Sequence, residues 1–214
     1  MKYPLILICT PFPARRRKTE SGGMVFYVED FNDAAVMCRD AKRICVVGCS
    51  GSGKSKLSQI LCQRLGLDYI SMDRDVFWLP GWKLRPRPEA IELMQQFVAG
   101  ERWIIDGNSP CSLAVRLARA DMVIWMRPPR RVSIYGVLSR WLKHRGTVRP
   151  EMAPGCPEKI DWPFLQYVWN FEAREVPQFQ TQFENARADL PVVVLRSHRQ
   201  TNEFLTALDG CQRR

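Results

Sequence analysis

A chain of 214 residues, 46% apolar and 25% charged, is long enough for one buried core and too apolar to stay disordered. Its formal charge of +10 attracts polyanions, and nucleotides, nucleic acid and anionic membrane all qualify. Eight cysteines without a CxxC pair, with only two histidines, argue against structural zinc and for reduced thiols in a cytoplasmic protein, and the apolar run Leu5 to Cys9 is far short of the roughly 20 residues of a membrane span.

Residues 1 to about 40 read as a flexible basic extension. The run TPFPARRRKTESGG combines prolines, the basic block Arg15 to Lys18 and a Gly22-Gly23 pair. From Arg43 the pattern becomes regular. Ile44 to Val47 is a short β-branched strand, followed by a glycine loop and by a helix from Lys54 to Leu65 with Leu57, Ile60, Leu61 and Leu65 on one face. Tyr69 to Met72 reads as the next strand and ends at Asp73. Pro88 opens a helix along Ile91, Met94 and Val98 that Gly100 stops. Trp103 to Ile105 is a third strand, ending at Asp106, and Leu113 to Ala120 a helical turn or two. Met122 to Met126 and Val192 to Leu195 are the fourth and fifth strands, with helical patterns between them that an Arg/Pro/Gly-rich stretch, 143–157, interrupts. Continuously apolar strands alternating with helices predict an α/β fold with a parallel sheet covered on both faces. Ligands of such folds gather at the carboxyl ends of the strands, where the loop after Val47, Asp73, Asp106 and Arg127 would meet.

The loop Gly48, Cys49, Ser50, Gly51, Ser52, Gly53, Lys54, Ser55 has the G-x-x-x-x-G-K-S spacing of a phosphate-binding loop. Its glycines let the backbone bend around phosphate, Lys54 reaches the β- and γ-phosphates, and the Ser55 hydroxyl joins a Mg²⁺ shell. Lys56 and Arg131 are further cations counted with the nucleotide-binding residues. Cys49 reads as a small filler rather than a nucleophile. Asp106 is the candidate for holding Mg²⁺ through water, the other reading being a loop cap; Asp73 is a candidate to accept a substrate hydroxyl, with Asp75 its neighbour and competitor. Between Arg127 and Pro150 the chain has Arg127, Arg130, Arg131, Arg140, Lys143, Arg145 and Arg149 and no acid. That composition suits an arginine-bearing cover over the phosphates, a solvated basic face, or a nucleic-acid patch.

The segments GCSGSGKS, LGLDYISMDRDVFWLPGW, WIIDGN, DMVIWM followed by RPPRR, and above all GCPEKIDWPFLQYVWNF resemble the bacterial adenylate-kinase-like P-loop proteins labelled DNA topology modulation or FlaR-related, from about Arg43 to about Leu205. The resemblance implies a three-layer P-loop kinase fold over residues 41–214, with a five-stranded parallel sheet, a short acceptor-binding insert at about 74–100 and an Arg-rich lid at about 127–174. It places Lys54 and Ser55 in the phosphate and Mg²⁺ roles, and Asp106 on the acid of the kinases' DG motif. Arg140 falls where the lid begins, Arg174 on a phosphate-contacting arginine after it, and Arg116 near the acceptor. Asn108, Ser109 and Pro110 depart from the adenylate kinase pattern, and WLPGW stands where an AMP pocket would be built, so ATP binding is implied but AMP as acceptor is not. The resulting expectation is transfer of the γ-phosphate of Mg-ATP to a small acceptor, a nucleotide or nucleoside. The alternative is a nucleic-acid-associated NTPase or regulatory ATP-binding protein, using its basic surface and affecting DNA topology. The apolar segment Trp162 to Phe171 is expected to cover the core rather than to form a subunit interface.

Overall fold

The computed structural model describes residues 25–211. Strand β1 (Phe26–Tyr27) leads into helix α1 (Phe31–Asp40), then β2 (Arg43–Gly48), α2 (Lys54–Leu65) and β3 (Asp68–Ser71). A π-helical turn (Met72–Phe77) follows, then the short strands β4 (Trp78–Leu79) and β5 (Lys83–Leu84), α3 (Arg87–Ala99), β6 (Trp103–Asp106), α4 (Pro110–Leu117) and β7 (Met122–Met126). Next come α5 (Arg130–His144), α6 (Trp162–Arg174), α7 (Val176–Glu184), β8 (Pro191–Leu195) and α8 (His198–Gly210).

The main sheet has six strands in the order β1-β8-β7-β2-β6-β3, every neighbouring pair parallel. The five strands expected from the sequence form its body, and β1 extends one edge by pairing Phe26 with Pro191 and Tyr27 with Val192. A strand of this sheet is apolar on both faces because both are covered. In β2, Ile44 and Val46 face α1, α2 and α8, whereas Cys45 and Val47 face the layer of α3, α4, α6 and α7. Each such fully buried Val or Ile adds about 1.5–3 kcal/mol of transfer free energy. The segment Trp162 to Phe171 lies in α6, which buries Val168 and Phe171 in the second layer but leaves Trp162 and Trp169 exposed.

The basic extension expected over residues 1–40 is ordered where it is described. Asp30 caps α1 by accepting from the N–H groups of Asn32 at 2.6 Å and Asp33 at 3.2 Å. The helix buries Ala34, Ala35 and Cys38 in the layer it shares with α8. Residues 1–24, which carry Arg15 to Lys18, lie outside the described residues. No helix among the described residues is long and apolar enough to cross a membrane.

Two excursions rise from the carboxyl edge of the sheet. One is the insert after β3, where β4 and β5 pair antiparallel around Gly81 (φ 78°) and Trp82 (φ 62°). The other is the segment between α5 and α6. The two meet: Gly81 N–H donates to the Gly155 carbonyl at 3.2 Å, Trp82 N–H reaches Cys156 Sγ at 3.2 Å, and Met152, Ala153 and Cys156 pack with Trp78 and Trp82.

Candidate active site

The glycine loop joins the end of β2 to the start of α2 and is held at backbone distance on two sides. A Cβ on Gly48 (φ 142°) would lie 2.1 Å from the Met126 carbonyl oxygen, and one on Gly51 (φ 79°) 2.1 Å from that of Ser133. Gly136 of α5 approaches as closely from the other direction, since its Cβ would meet the Gly51 oxygen at 2.2 Å. The loop is therefore gripped between β7 and α5 where no side chain fits. Asn108 completes the grip by accepting from Gly48 N–H at 2.9 Å and donating its amide to the Gly48 carbonyl. That role was not foreseen from the sequence, where Asn108 stood out only as a departure from the adenylate kinase pattern.

No side chain caps the N-terminus of α2, so its first N–H groups and the positive end of its dipole face the loop. Lys54 crosses the loop and donates from Nζ to the Cys49 carbonyl at 3.0 Å. The Cys49 thiol is buried and pushed up to about 11 by that burial, with Lys54 opposing, so it stays protonated at neutral pH and acts as the expected filler. Lys56, two residues after Lys54, is exposed on α2.

Asp106 ends β6 beside this loop and is 4% exposed. Its Oδ2 accepts from the Tyr69 hydroxyl at 3.1 Å, while Oδ1 is buried with no hydrogen-bond partner. Burial raises its pKa; Lys54, the Ser55 hydroxyl and Tyr69 pull it down, and Asp73 pushes it up again. An orphaned carboxylate oxygen beside a serine hydroxyl and a lysine is a hard-oxygen setting that fits Mg²⁺ sharing its shell with phosphate and water. No cluster of three or more His, Cys, Asp or Glu side chains suited to a metal occurs among the described residues, so a cage made wholly of protein carboxylates is absent there.

Asp73 stands exposed on the π-helical turn, and its charge is felt by Asp106, Arg140 and Tyr167, which places it near all three. Its competitor Asp75 is committed elsewhere, ion-paired with Arg74 at 2.7 Å and accepting from Ser71 N–H at 2.8 Å. Tyr167 of α6 is half-buried, stacks on Phe164 with ring centroids 6.4 Å apart, and adds an aromatic wall beside Asp73. Its hydroxyl is pushed up by burial.

The arginines divide. Arg140, on α5, is brought to the site: Nε donates to Glu158 Oε1 at 2.9 Å, and Asp73 lies within its electrostatic reach. Arg116 is fully buried behind the site, donating to the Gly107 carbonyl at 2.9 Å and that of Ser109 at 3.2 Å; it braces the loop after β6 and meets no open space where an acceptor could lie. Arg174 is exposed in the last turn of α6 with Glu175 as its charged neighbour, and Arg131 is exposed at the start of α5. Of the remaining cations, Arg127 pairs with Glu172 and stacks on Trp125, Arg130 stacks on Trp169 and Arg145 on Trp141.

No protein-family model matches this chain, and no curated protein does. Among solved structures, the shikimate kinase from Acinetobacter baumannii in complex with shikimate is similar with a TM-score of 0.51 at 10% identity, over 83% of this chain and 97% of that one. The shikimate kinase from Bacteroides thetaiotaomicron matches with a TM-score of 0.47 at 14% identity, over 81% of this chain and 99% of that one. The deoxyadenosine kinase from M. mycoides with bound dATP gives 0.40 at 15%, over 78% and 99%. The narrower likeness to the DNA topology modulation proteins gains no support from these matches. At such identities the likeness speaks to architecture, and together with the sheet order and the glycine loop it marks the chain as a three-layer α/β protein of P-loop kinase-like fold.

Proposed function

We propose that this protein is an ATP-dependent phosphotransferase that moves the γ-phosphate of Mg-ATP to a hydroxyl of a small acceptor, a nucleotide or nucleoside. The observation that carries the reading is Asp106, a buried carboxylate with an orphaned oxygen set between Ser55, Lys54 and the glycine loop. Such a carboxylate is costly to keep unless a cation completes it.

The loop N–H groups and Lys54 hold the phosphates, Lys54 leaving the Cys49 carbonyl to do so. Bound Mg²⁺ would neutralise phosphate charge and be held by Ser55 directly and Asp106 through water. Asp73 orients the acceptor hydroxyl and takes its proton as the new oxygen–phosphorus bond forms and the bond to the β-phosphate bridging oxygen breaks, leaving ADP. Arg140 carries positive charge to the transferring group. Tyr167 and Phe164 offer aromatic surface beside Asp73, which suits the flat ring of a nucleoside.

The nucleic-acid reading draws less support, because Arg127, Arg130, Arg140, Arg145 and Arg149 are each engaged by a carboxylate or a ring within the fold. ADP release from Mg-ATP tests the proposal. Lys54→Ala is expected to abolish it, and Asp73→Asn to lower turnover with the acceptor about 100-fold while sparing ATP binding. Unchanged turnover in Lys54→Ala would sink the reading.

A further inference from the structure

The segment between α5 and α6 contains a buried carboxylate that the reaction above leaves unused. The Glu158 side chain is 3% exposed, and its backbone N–H donates to the Thr147 carbonyl at 2.9 Å, so its position is set by the segment's own fold. Glu158 Oε1 accepts from Arg140 Nε at 2.9 Å, and Oε2 pairs with Nε of Arg149. One carboxylate thus faces two guanidinium groups, hydrogen-bonded to Arg140 Nε and ion-paired with Arg149 Nε, which makes no hydrogen bond. The outer nitrogens are left over: Arg149 Nη1 is 3.8 Å from Glu151 Oε2, beyond hydrogen-bond distance, and Arg140 makes no other side-chain hydrogen bond among the described residues.

Two partly buried cations against one buried carboxylate form an incomplete cluster. Its other charged neighbours are Asp73, within electrostatic reach of Arg140, and Glu151, whose carboxylate is already bonded by the Gln59 amide. Burial and then Arg149 depress the Arg140 pKa, while Glu158 and Asp73 oppose them, so the two arginines repel each other and are held together by the carboxylate. Guanidinium groups ordered in advance lose less freedom on meeting a phosphate than free surface arginines would, and two outer edges side by side offer the forked donors a phosphoryl group accepts.

We infer that Arg140 and Arg149 form a two-arginine clamp for a phosphoryl group, and that Glu158 is the positioning residue that sets it. The inference rests on the phosphotransferase reading and adds Arg149 and Glu158 to it. The phosphoryl group comes either from the transferring γ-position of ATP or from a phosphate on the acceptor, and binding measurements separate the two.

Calorimetric titration would compare Mg-ADP, Mg-ADP with aluminium fluoride as a mimic of the transferring group, and inorganic phosphate added to the Mg-ADP complex. The variants are Glu158→Gln, Glu158→Asp and Arg149→Lys, the last keeping the charge and the Arg140–Glu158 pair but losing the guanidinium held by Glu158. Wild type is expected to bind aluminium fluoride with Mg-ADP more tightly than Mg-ADP alone, and Glu158→Gln and Arg149→Lys to cut that gain at least about tenfold while Mg-ADP affinity stays within about threefold. Glu158→Asp restores part of the gain. A clamp for the acceptor's phosphate would instead leave the aluminium fluoride gain intact and weaken inorganic phosphate by a similar factor. Should Glu158→Gln fail to fold, Arg149→Lys decides. Folded variants that bind every probe as wild type does overturn the clamp alone, whereas wild type that binds no Mg-ADP overturns the phosphotransferase reading and the clamp with it.

Discussion

At Asp106, burial and charge act against each other, and the balance sets a stability cost. Its folded-state pKa lies above the ordinary carboxylate value, so the folded protein binds this proton more tightly than the unfolded chain. The stabilisation is full below the ordinary carboxylate pKa and is lost as pH rises through the raised folded value. Above the ordinary carboxylate range the buried carboxyl is therefore a burden that Asp106→Asn removes. The variant is expected to melt higher than wild type at pH 7, with the gap closing below about pH 4, and to lose turnover about 100-fold or more. A variant that melts no higher at pH 7 would show that the carboxylate is not strained by its surroundings. The places of the glycine loop, between a strand and a helix, and of Asp106, at a strand end, were legible in the sequence because their signals are local: glycine spacing after a β-branched strand, and an acid closing the WII run. That Arg116 would be buried and Arg174 exposed was not legible, because whether a helical arginine faces the core or solvent depends on how its helix is rotated against the sheet. Asn108 and Glu158 were missed for a related reason, since each acts on a partner distant in sequence, Gly48 in one case and Arg140 in the other.

The elements that carry the site are set by close backbone approach as much as by apolar burial. Gly136 lets α5 lie against the glycine loop, and Gly136→Ala must push a Cβ into the Gly51 carbonyl or shift the helix. That substitution is expected to cost about 1–3 kcal/mol and to weaken Mg-ATP binding, both readable from melting curves with and without nucleotide. Gly210→Ala, at the end of α8 where an added Cβ meets nothing within 4 Å, is the control and should stay within about 0.5 kcal/mol. Equal behaviour of the two variants would remove the grip on the loop from the account. Most strands were readable because runs such as MVIWM are apolar on both faces, the mark of a covered parallel sheet. β1 was not, because two residues hold no periodicity. Helix α1 did leave a signal, Asp30 as cap followed by Ala34, Ala35 and Cys38, but the prolines and arginines before it drew the whole stretch into a tail.

Across the whole molecule, the insert after β3 and the segment between α5 and α6 are packed against each other. Cys156 ties them, its Sγ meeting Trp82 N–H at 3.2 Å and the Leu79 carbonyl at 3.4 Å, and Ser71 Oγ donates to the Glu151 carbonyl at 2.9 Å. Opening one side therefore strains the other. Cys156→Ala is expected to speed amide exchange at both 79–82 and 147–158, and a change in one segment alone would show that they move separately. The sequence separated insert from lid because they lie about 70 residues apart along the chain; their contact exists only in the folded molecule.

The central claim, that the loop, Asp106 and Asp73 form a phosphotransferase site, is tested most directly by measuring ADP release from Mg-ATP and the mass of any phosphorylated product. The panel would hold nucleosides, nucleoside monophosphates and duplex DNA, each run with wild type and with Lys54→Ala. Stimulation of wild type by one small acceptor, with a product heavier by one phosphoryl group and no activity in Lys54→Ala, is the predicted result. Stimulation by DNA alone with no phosphorylated product, or activity that survives Lys54→Ala, would contradict it.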